Sequence, residues 1–151
     1  MNYMKERTLI LIKPDAISKK LTGVILDRFF HLGLEMKGAK VREMTEELAR
    51  EHYSNLAGKP FLPSVISFMR GDLNGITDHR IYAFVFEGED AISKVRAALG
   101  ATDPAKAEPW TIRGAFGCFK DGVMQNCVHA SGFKEDAERE INLWFKPGEV
   151  L

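Results

Sequence analysis

The sequence predicts an α+β sandwich, with helices packed on a mainly antiparallel sheet. Two observations carry this reading. Segments follow one another as strand, helix, strand, helices, strand, helix, strand, and no repeat, low-complexity tract or linker divides the 151 residues. With 45% apolar residues, 13 glycines and 6 prolines, residues 1–151 read as one domain large enough to bury a core without disulfides.

Thr8–Ile12 is a compact, β-branched apolar run suited to a central strand. Leu21, Ile25, Phe29 and Leu32 recur at helical spacing and end at Gly33, a C-cap residue. Leu34 and Met36 alternate on one face while Ala39 and Val41 continue on the other parity, which predicts a strand with a bulge or bend near Gly38. Thr45 is placed to cap a helix with Glu46 and Glu47 in its first turn and Leu48, His52 and Leu56 on one face, ended by Gly58. A short helix opened by Pro63 turns Val65, Ile66 and Met69 inward, and Gly71–His79 reads as a polar loop.

Ile81–Phe86 is apolar at every position, as in a strand covered on both faces or lying in the middle of the sheet. Asp90 is placed to cap a helix carrying Ile92, Val95 and Leu99 and stopped by Gly100. Ala101–Ile112, with Pro104 and Pro109, has no period, and a loop of this length is a functional candidate. A strand near Gly114–Phe119, a turn at Asp121-Gly122 and a last helix over Lys134–Phe145, halted by Pro147, complete the order.

The charge balance is 21 basic against 21 acidic residues. A neutral chain has no global field for nucleic acid or anionic lipid, so any polyanion must meet a local cluster of cations. No apolar stretch approaches the length of a membrane helix, and Met1–Arg7 is followed by too few apolar residues for a signal peptide, which makes the cytoplasm the default compartment. Cys118 and Cys127 form no CxxC pair or metal set and read as reduced, buried thiols.

In the last helix Ala137, Glu140, Ile141 and Trp144 share one stripe, so a carboxylate points inward and needs a partner. It either bonds backbone amides at the rim or orients an imidazole, since a histidine nucleophile works best with one ring nitrogen fixed. The candidates are His31, His52, His79 and His129: a helix-end dipole partner, a core histidine, a loop residue, and a residue that follows a strand shortly before the helix of Glu140. Spacing alone does not choose among them. Gly58-Lys59-Pro60 lacks the rest of a P-loop, and GxGxxG, HRD, DFG and metal-ligand spacings are missing.

Taken in order, several segments resemble nucleoside diphosphate kinases. They are Arg7-Thr-Leu-Ile-Leu-Ile-Lys13-Pro-Asp15, His52-Tyr53 with Lys59-Pro-Phe61, Glu87-Gly-Glu89, Leu99-Gly-Ala-Thr102-Asp-Pro104, Thr111-Ile-Arg113-Gly114, Asn126-x-x-His129-x-Ser131, and Ala137-Glu-Arg-Glu140-Ile with Trp144-Phe-Lys-Pro147. The resemblance covers nearly the whole chain. It implies a ferredoxin-like sandwich with a four-stranded antiparallel sheet, and transfer of the γ-phosphoryl group of a nucleoside triphosphate, typically ATP, to a nucleoside diphosphate. His129 would become a phosphohistidine in a ping-pong cycle.

By the same resemblance Glu140 holds the imidazole with Ser131 alongside, and Tyr53 lies close to it. Lys13, Arg96, Thr102, Arg113 and Asn126 contact phosphates and ribose, and Phe61 stacks on the base, which suits broad base specificity. Mg2+ would arrive on the nucleotide phosphates with no protein metal site, and the resemblance further implies a homo-oligomer, a hexamer before a tetramer or dimer. A binding or regulatory protein, holding a nucleotide without turnover or acting through partners, is the competing reading, kept open by two departures. Ala130-Ser131-Gly132 lacks the aspartate usual after Gly-Ser, and Arg113-Gly114-Ala115 lacks that of Arg-Gly-Asp. Insertions fall within Gly71–Arg80 and around Lys120–Met124.

Overall fold

The computed structural model describes residues 5–151; the start of the Met1–Arg7 stretch, on which the signal-peptide reading rests, lies outside the described residues. Its elements are β1 (Lys5–Ile12), α1 (Pro14–Ser18), α2 (Thr22–Phe30), β2 (Glu35–Glu43), α3 (Glu46–His52), α4 (Leu62–Met69), β3 (Arg80–Glu89), α5 (Ala91–Leu99), α6 (Ile112–Phe116), β4 (Cys118–Lys120), β5 (Val123–Gln125), β6 (Val128–Ala130) and α7 (Lys134–Trp144). Four strands form a sheet in the order β2-β3-β1-β6 with every neighbour antiparallel, the ferredoxin-like arrangement.

The two inner strands explain their own composition. Alternate residues of β1 and β3 serve two separate cores. Ile10, Ile12, Phe84 and Phe86 pack under α2 and α5 with Ile25, Phe29, Val95 and Leu99. Leu9, Leu11, Ala83 and Val85 pack under α3, α4 and α7 with Leu48, Ile66, Met69, Ile141 and Trp144. A strand sealed on both faces has no use for polar alternation, hence the unbroken run Ile81–Phe86. The bulge expected in β2 is present, as a register shift between Met36 and Gly38.

Thr45 caps α3 as expected, its hydroxyl accepting from the Leu48 amide at 3.1 Å. Four other expectations are corrected. Asp90 does not cap α5: its backbone is left-handed (φ 51°), and the Ile92 amide donates to the Glu6 carboxylate instead. α3 stops at His52, and a 3-10 turn at Ser54–Leu56 leads to Gly58, so Leu56 leaves the helix face.

A short helix, α1, directly follows β1, with Pro14 at its first position, where the missing N–H costs nothing. The strand expected near Gly114–Phe119 is instead the helix α6, whose first turn is closed by the Thr111 hydroxyl accepting from the Gly114 amide at 3.1 Å. Only Cys118–Lys120 is extended, and it pairs with β5 in a separate hairpin around the left-handed Asp121-Gly122 turn. The fourth strand of the main sheet is β6, which carries His129 opposite Leu11. Cys127 is buried as expected and Cys118 is half-exposed, both as free thiols.

The long segment between α5 and α6 folds back onto α6 at one glycine. A Cβ on Gly114 would overlap the Glu108 carbonyl oxygen and crowd Ala107. Gly114→Ala must therefore push the Ala107–Glu108 backbone away from α6, and Arg113 with it. The expected loss is about 1–3 kcal/mol of stability, read from the midpoint of a urea transition; an unchanged midpoint would show that this turn yields freely.

Candidate active site

Residues from both sides of the sheet edge meet in one cleft of about 710 Å³ at the C-terminal end of β1. Its volume suits a nucleotide-sized ligand. Nine of the ten residues singled out from the sequence line it: Lys13, Tyr53, Phe61, Arg96, Thr102, Arg113, Asn126, His129 and Glu140. Ser131, the tenth, is fully buried behind Glu140.

Strand alternation places His129. Val128 and Ala130 point into one core, so His129 faces the opposite side, toward α7. There its Nε2 lies 2.9 Å from Glu140 Oε2. A carboxylate only accepts, so Nε2 carries the ring proton and Nδ1 keeps a lone pair. The other carboxylate oxygen, Oε1, accepts from the Ser131 hydroxyl at 2.7 Å, and that hydroxyl accepts from the Leu9 amide at 3.0 Å. Burial pushes the Glu140 carboxyl upward, but the hydrogen bonds from His129 and Ser131 and the charges of His129 and Arg139 outweigh it and hold it below its ordinary range. The inward carboxylate is therefore an imidazole's partner and not a rim group bonded to amides.

Behind this pair lies a histidine that the sequence placed only in the core. The buried His52 ring meets His129 edge-on, with centroids 4.5 Å apart. Trp144 Nε1 donates to its Nδ1 at 3.0 Å, so the proton sits on Nε2, 3.9 Å from Glu140 Oε2 and without a hydrogen-bond partner. Burial first, then the charges of His129, Arg139 and Lys13, lower its pKa to about 2. Ligand atoms of His52, His129 and Glu140 lie close enough to share one ion. Both Nε2 atoms facing the carboxylate carry protons and His52 Nδ1 accepts from Trp144, so neither Nε2 has a pair to give an ion, and the one open ring nitrogen of the trio is His129 Nδ1. Tyr53 packs edge-on against His52 at 4.7 Å, and burial, with the charge of Glu140, pushes its phenol upward, so it stays protonated.

The cations stand on the far wall. Lys13 leaves β1 one residue before Pro14 and donates to Asn126 Oδ1 at 2.6 Å, while Asn126 Nδ2 donates to the Thr102 carbonyl at 2.9 Å. Arg113 is nearly buried and donates to three backbone carbonyls, those of Val128 (2.8 Å), Gly100 (3.3 Å) and Asn126 (3.4 Å). A guanidinium has five N–H donors, so two remain for a ligand. Burial, with the charge of Arg96, lowers Arg113 to about 10, still fully charged at neutral pH. Burial, then the charge of Arg113, lowers Lys13 to about 8 against the help of Asp15 and Cys127.

Asp15, which ends the Lys13-Pro-Asp segment, has a structural role that the sequence does not announce. Its buried Oδ2 accepts from the Cys127 amide at 3.0 Å, and Lys13 N donates to the Cys127 carbonyl at 2.9 Å. These bonds pin the left-handed Cys127 turn that precedes His129. Phe61 is half-exposed at the mouth, at the N-terminal end of α4. Both insertions lie close by: Gly122, Val123 and Met124 of the hairpin line the cleft, and Asn74 donates to Gln125 at 3.3 Å. Ala115, where the resemblance leads one to expect an aspartate, is exposed and does not line the cleft.

A family model described as nucleoside diphosphate kinase matches residues 6–150. The nucleoside diphosphate kinase of Symbiobacterium thermophilum is 46% identical, over 96% of this chain and 89% of its own. That of Methanocaldococcus jannaschii is 44% identical over 98% and 99%. Among solved structures, the Aquifex aeolicus enzyme superposes with a TM-score of 0.85 at 38% identity, over 98% of this chain and all of that one. A Borrelia burgdorferi nucleoside diphosphate kinase described as a transition-state mimic with bound vanadate and ADP gives 0.85 at 34%, over 97% and 90%. With its fold and nearly its whole length matched, the chain belongs to the nucleoside diphosphate kinase family.

Proposed function

We propose that residues 1–151 act as one kinase domain in which His129 shuttles the γ-phosphoryl group between nucleotides in a ping-pong cycle. One observation carries the assignment: Glu140 fixes Nε2 of His129 as the protonated nitrogen, so Nδ1 holds the free pair. In the first half-reaction an Nδ1–P bond forms while the bond from the γ-phosphorus to the bridging oxygen breaks. The bond's electron pair leaves on the diphosphate product. The imidazole gains positive charge as it attacks, and Glu140 answers it through the Nε2–H bond without a proton changing hands. A second diphosphate then attacks the phosphorus and returns the ring to its starting state.

The other residues position the chain of phosphates. Lys13, Arg96 and Arg113 stand where phosphate oxygens gather charge, with Thr102 and Asn126 beside them, and Phe61 offers a face to any base. Tyr53, kept protonated, lines the cleft beside the His52 ring. The solved Borrelia burgdorferi relative with vanadate and ADP supports this use of the cleft.

Magnesium fits as a guest of the nucleotide. The cleft lining offers two carboxylates, and Glu140 is already bound to His129 and Ser131, which leaves no protein cage for an ion. When bound on the phosphates, Mg2+ neutralises charge on their oxygens. The working unit on this reading is a homohexamer in the cytoplasm, ahead of a tetramer or dimer. Exposed Val24, Phe30, Val41 and Trp110 supply apolar surface for subunit contacts, and no helix among the described residues is long and apolar enough to cross a membrane.

Three measurements test the proposal. Incubation with γ-labelled ATP alone is expected to label the protein with an acid-labile, alkali-stable phosphoryl group that any nucleoside diphosphate discharges. His129→Ala should take up none, and labelling of that variant would sink the assignment. Glu140→Gln keeps the size of the side chain and loses its charge. Turnover is expected to fall roughly 10²-fold with labelling still detectable, whereas undiminished turnover would remove its orienting role.

The third concerns pH. In the free protein the Lys13 ammonium loses its proton as pH rises through about 8, and phosphate oxygens favour the charged form, so binding pulls that pKa upward. Above about pH 8, nucleotide binding should therefore take up a proton and weaken as pH rises further. Calorimetry in buffers of different ionisation enthalpy reads the uptake. Heats that do not depend on the buffer there would contradict it, and Lys13→Arg is expected to abolish the linkage.

A further inference from the structure

One carboxylate in the cleft has no function in the scheme above. Asp136 lies in the first turn of α7, half-buried, and lines the same cleft as Lys13, Arg96 and Arg113. Among the described residues it makes no ion pair and no side-chain hydrogen bond, although Arg96 is near. Its position is set against Gly132. A Cβ built on Gly132 would stand 3.4 Å from Asp136 Oδ2 and 3.9 Å from Arg96 Nη1. The side chain that Gly132 lacks would thus point into the space where the Asp136 carboxylate already stands, and α7 supplies there the negative charge missing from the loop after His129.

A bare carboxylate in a wall of phosphate-binding cations repels the ligand and, by itself, weakens binding. The repulsion reverses when a divalent cation rides on the phosphates. One water between cation and carboxylate then makes the contact attractive, in keeping with magnesium's habit of retaining most of its waters. The neighbouring Glu135 shares the first helical turn but does not line the cleft, so interaction with the helix dipole accounts for an acid in this turn and not for which acid faces the site.

We propose that Asp136 is the positioning residue for the nucleotide-borne divalent cation in this chain, taking from α7 the part that Gly132 cannot play. The inference rests on the kinase reading above. It assigns Asp136 an outer contact through the water shell of the cation, with Arg96 free to meet the phosphates beside it.

The test is ADP affinity, measured by calorimetry with Mg2+ and again with EDTA, on the full-length protein. Wild type is expected to bind Mg·ADP more tightly than ADP alone. Asp136→Asn should lose on the order of tenfold of that advantage, the size given by Coulomb's law for a unit charge facing a divalent ion across one water in a high-dielectric site. Its affinity in EDTA should be unchanged or slightly tighter, because a repulsion has been removed. Gly132→Asp added to Asp136→Asn should restore the advantage, since the backbone at 132 accepts a Cβ with ordinary contacts. A purely structural role for Asp136 would lower the thermal midpoint and leave the magnesium advantage whole. An advantage retained in full by Asp136→Asn, or none in wild type, overturns the proposal. Failure of wild type to bind ADP in either buffer overturns the kinase reading itself.

Discussion

The Glu140 carboxylate is the constraint on which the site depends. It touches three elements at once: α7, on which it sits; β6, through His129; and β1, through Ser131 just past β6, whose hydroxyl accepts from the Leu9 amide. A buried carboxylate stays ionised only where fixed donors replace its water. Here they come from the main sheet, so charge at the site and pairing of β6 on β1 support each other. The Ser131 amide completes the link by donating to the Leu9 carbonyl at 3.2 Å. A three-residue edge strand with little apolar area of its own is thereby tied at the residue that must hold still.

Charge is organised by the same economy. The chain is neutral overall, yet Lys13, Arg96 and Arg113 converge from β1, α5 and α6 on one wall. Bringing them together has a cost, visible in Lys13 lowered to about 8 by burial and the charge of Arg113, and in Arg113 lowered to about 10 by burial and the charge of Arg96. Backbone carbonyls offset part of it: Arg113 bonds three, and Asn126 presents its oxygen to Lys13. The cleft is therefore a preformed hole for negative charge whose strain a polyphosphate relieves.

Most of the architecture was legible because it is periodic. The stripe of α7 showed that Glu140 points inward, the parity change in β2 showed its bulge, and the unbroken run Ile81–Phe86 showed a doubly covered strand. What escaped lacks a period. α6 spans five residues and includes Gly114, and its helix exists because the Thr111 cap and a tight fit against Glu108 outweigh propensity. β6 has three residues, and only its register against Ile10–Ile12 makes it a strand. Of the site, the sequence showed the residue types but not their connections. Arg113 is fixed by carbonyls, which no residue identity announces, and the partner of His52 lies 92 residues away. Asp136 was invisible because its meaning depends on a side chain that Gly132 does not have.

The unpredicted partner also explains how one carboxylate serves one histidine. Two imidazoles lie within reach of Glu140, and a cation on either would claim it. Protonating His52 would require Nδ1, its only free pair, which already accepts from Trp144 inside the core. Burial then makes a second charge there still less favourable, and His52 is held neutral down to about pH 2. Its ring fills the space behind His129 edge-on, without competing for Oε2. A phenylalanine would fill that space as well, but it would orphan the Trp144 N–H in the core. A polar ring locked in one neutral tautomer satisfies the tryptophan and leaves the charge of Glu140 to the ring that becomes positive during transfer.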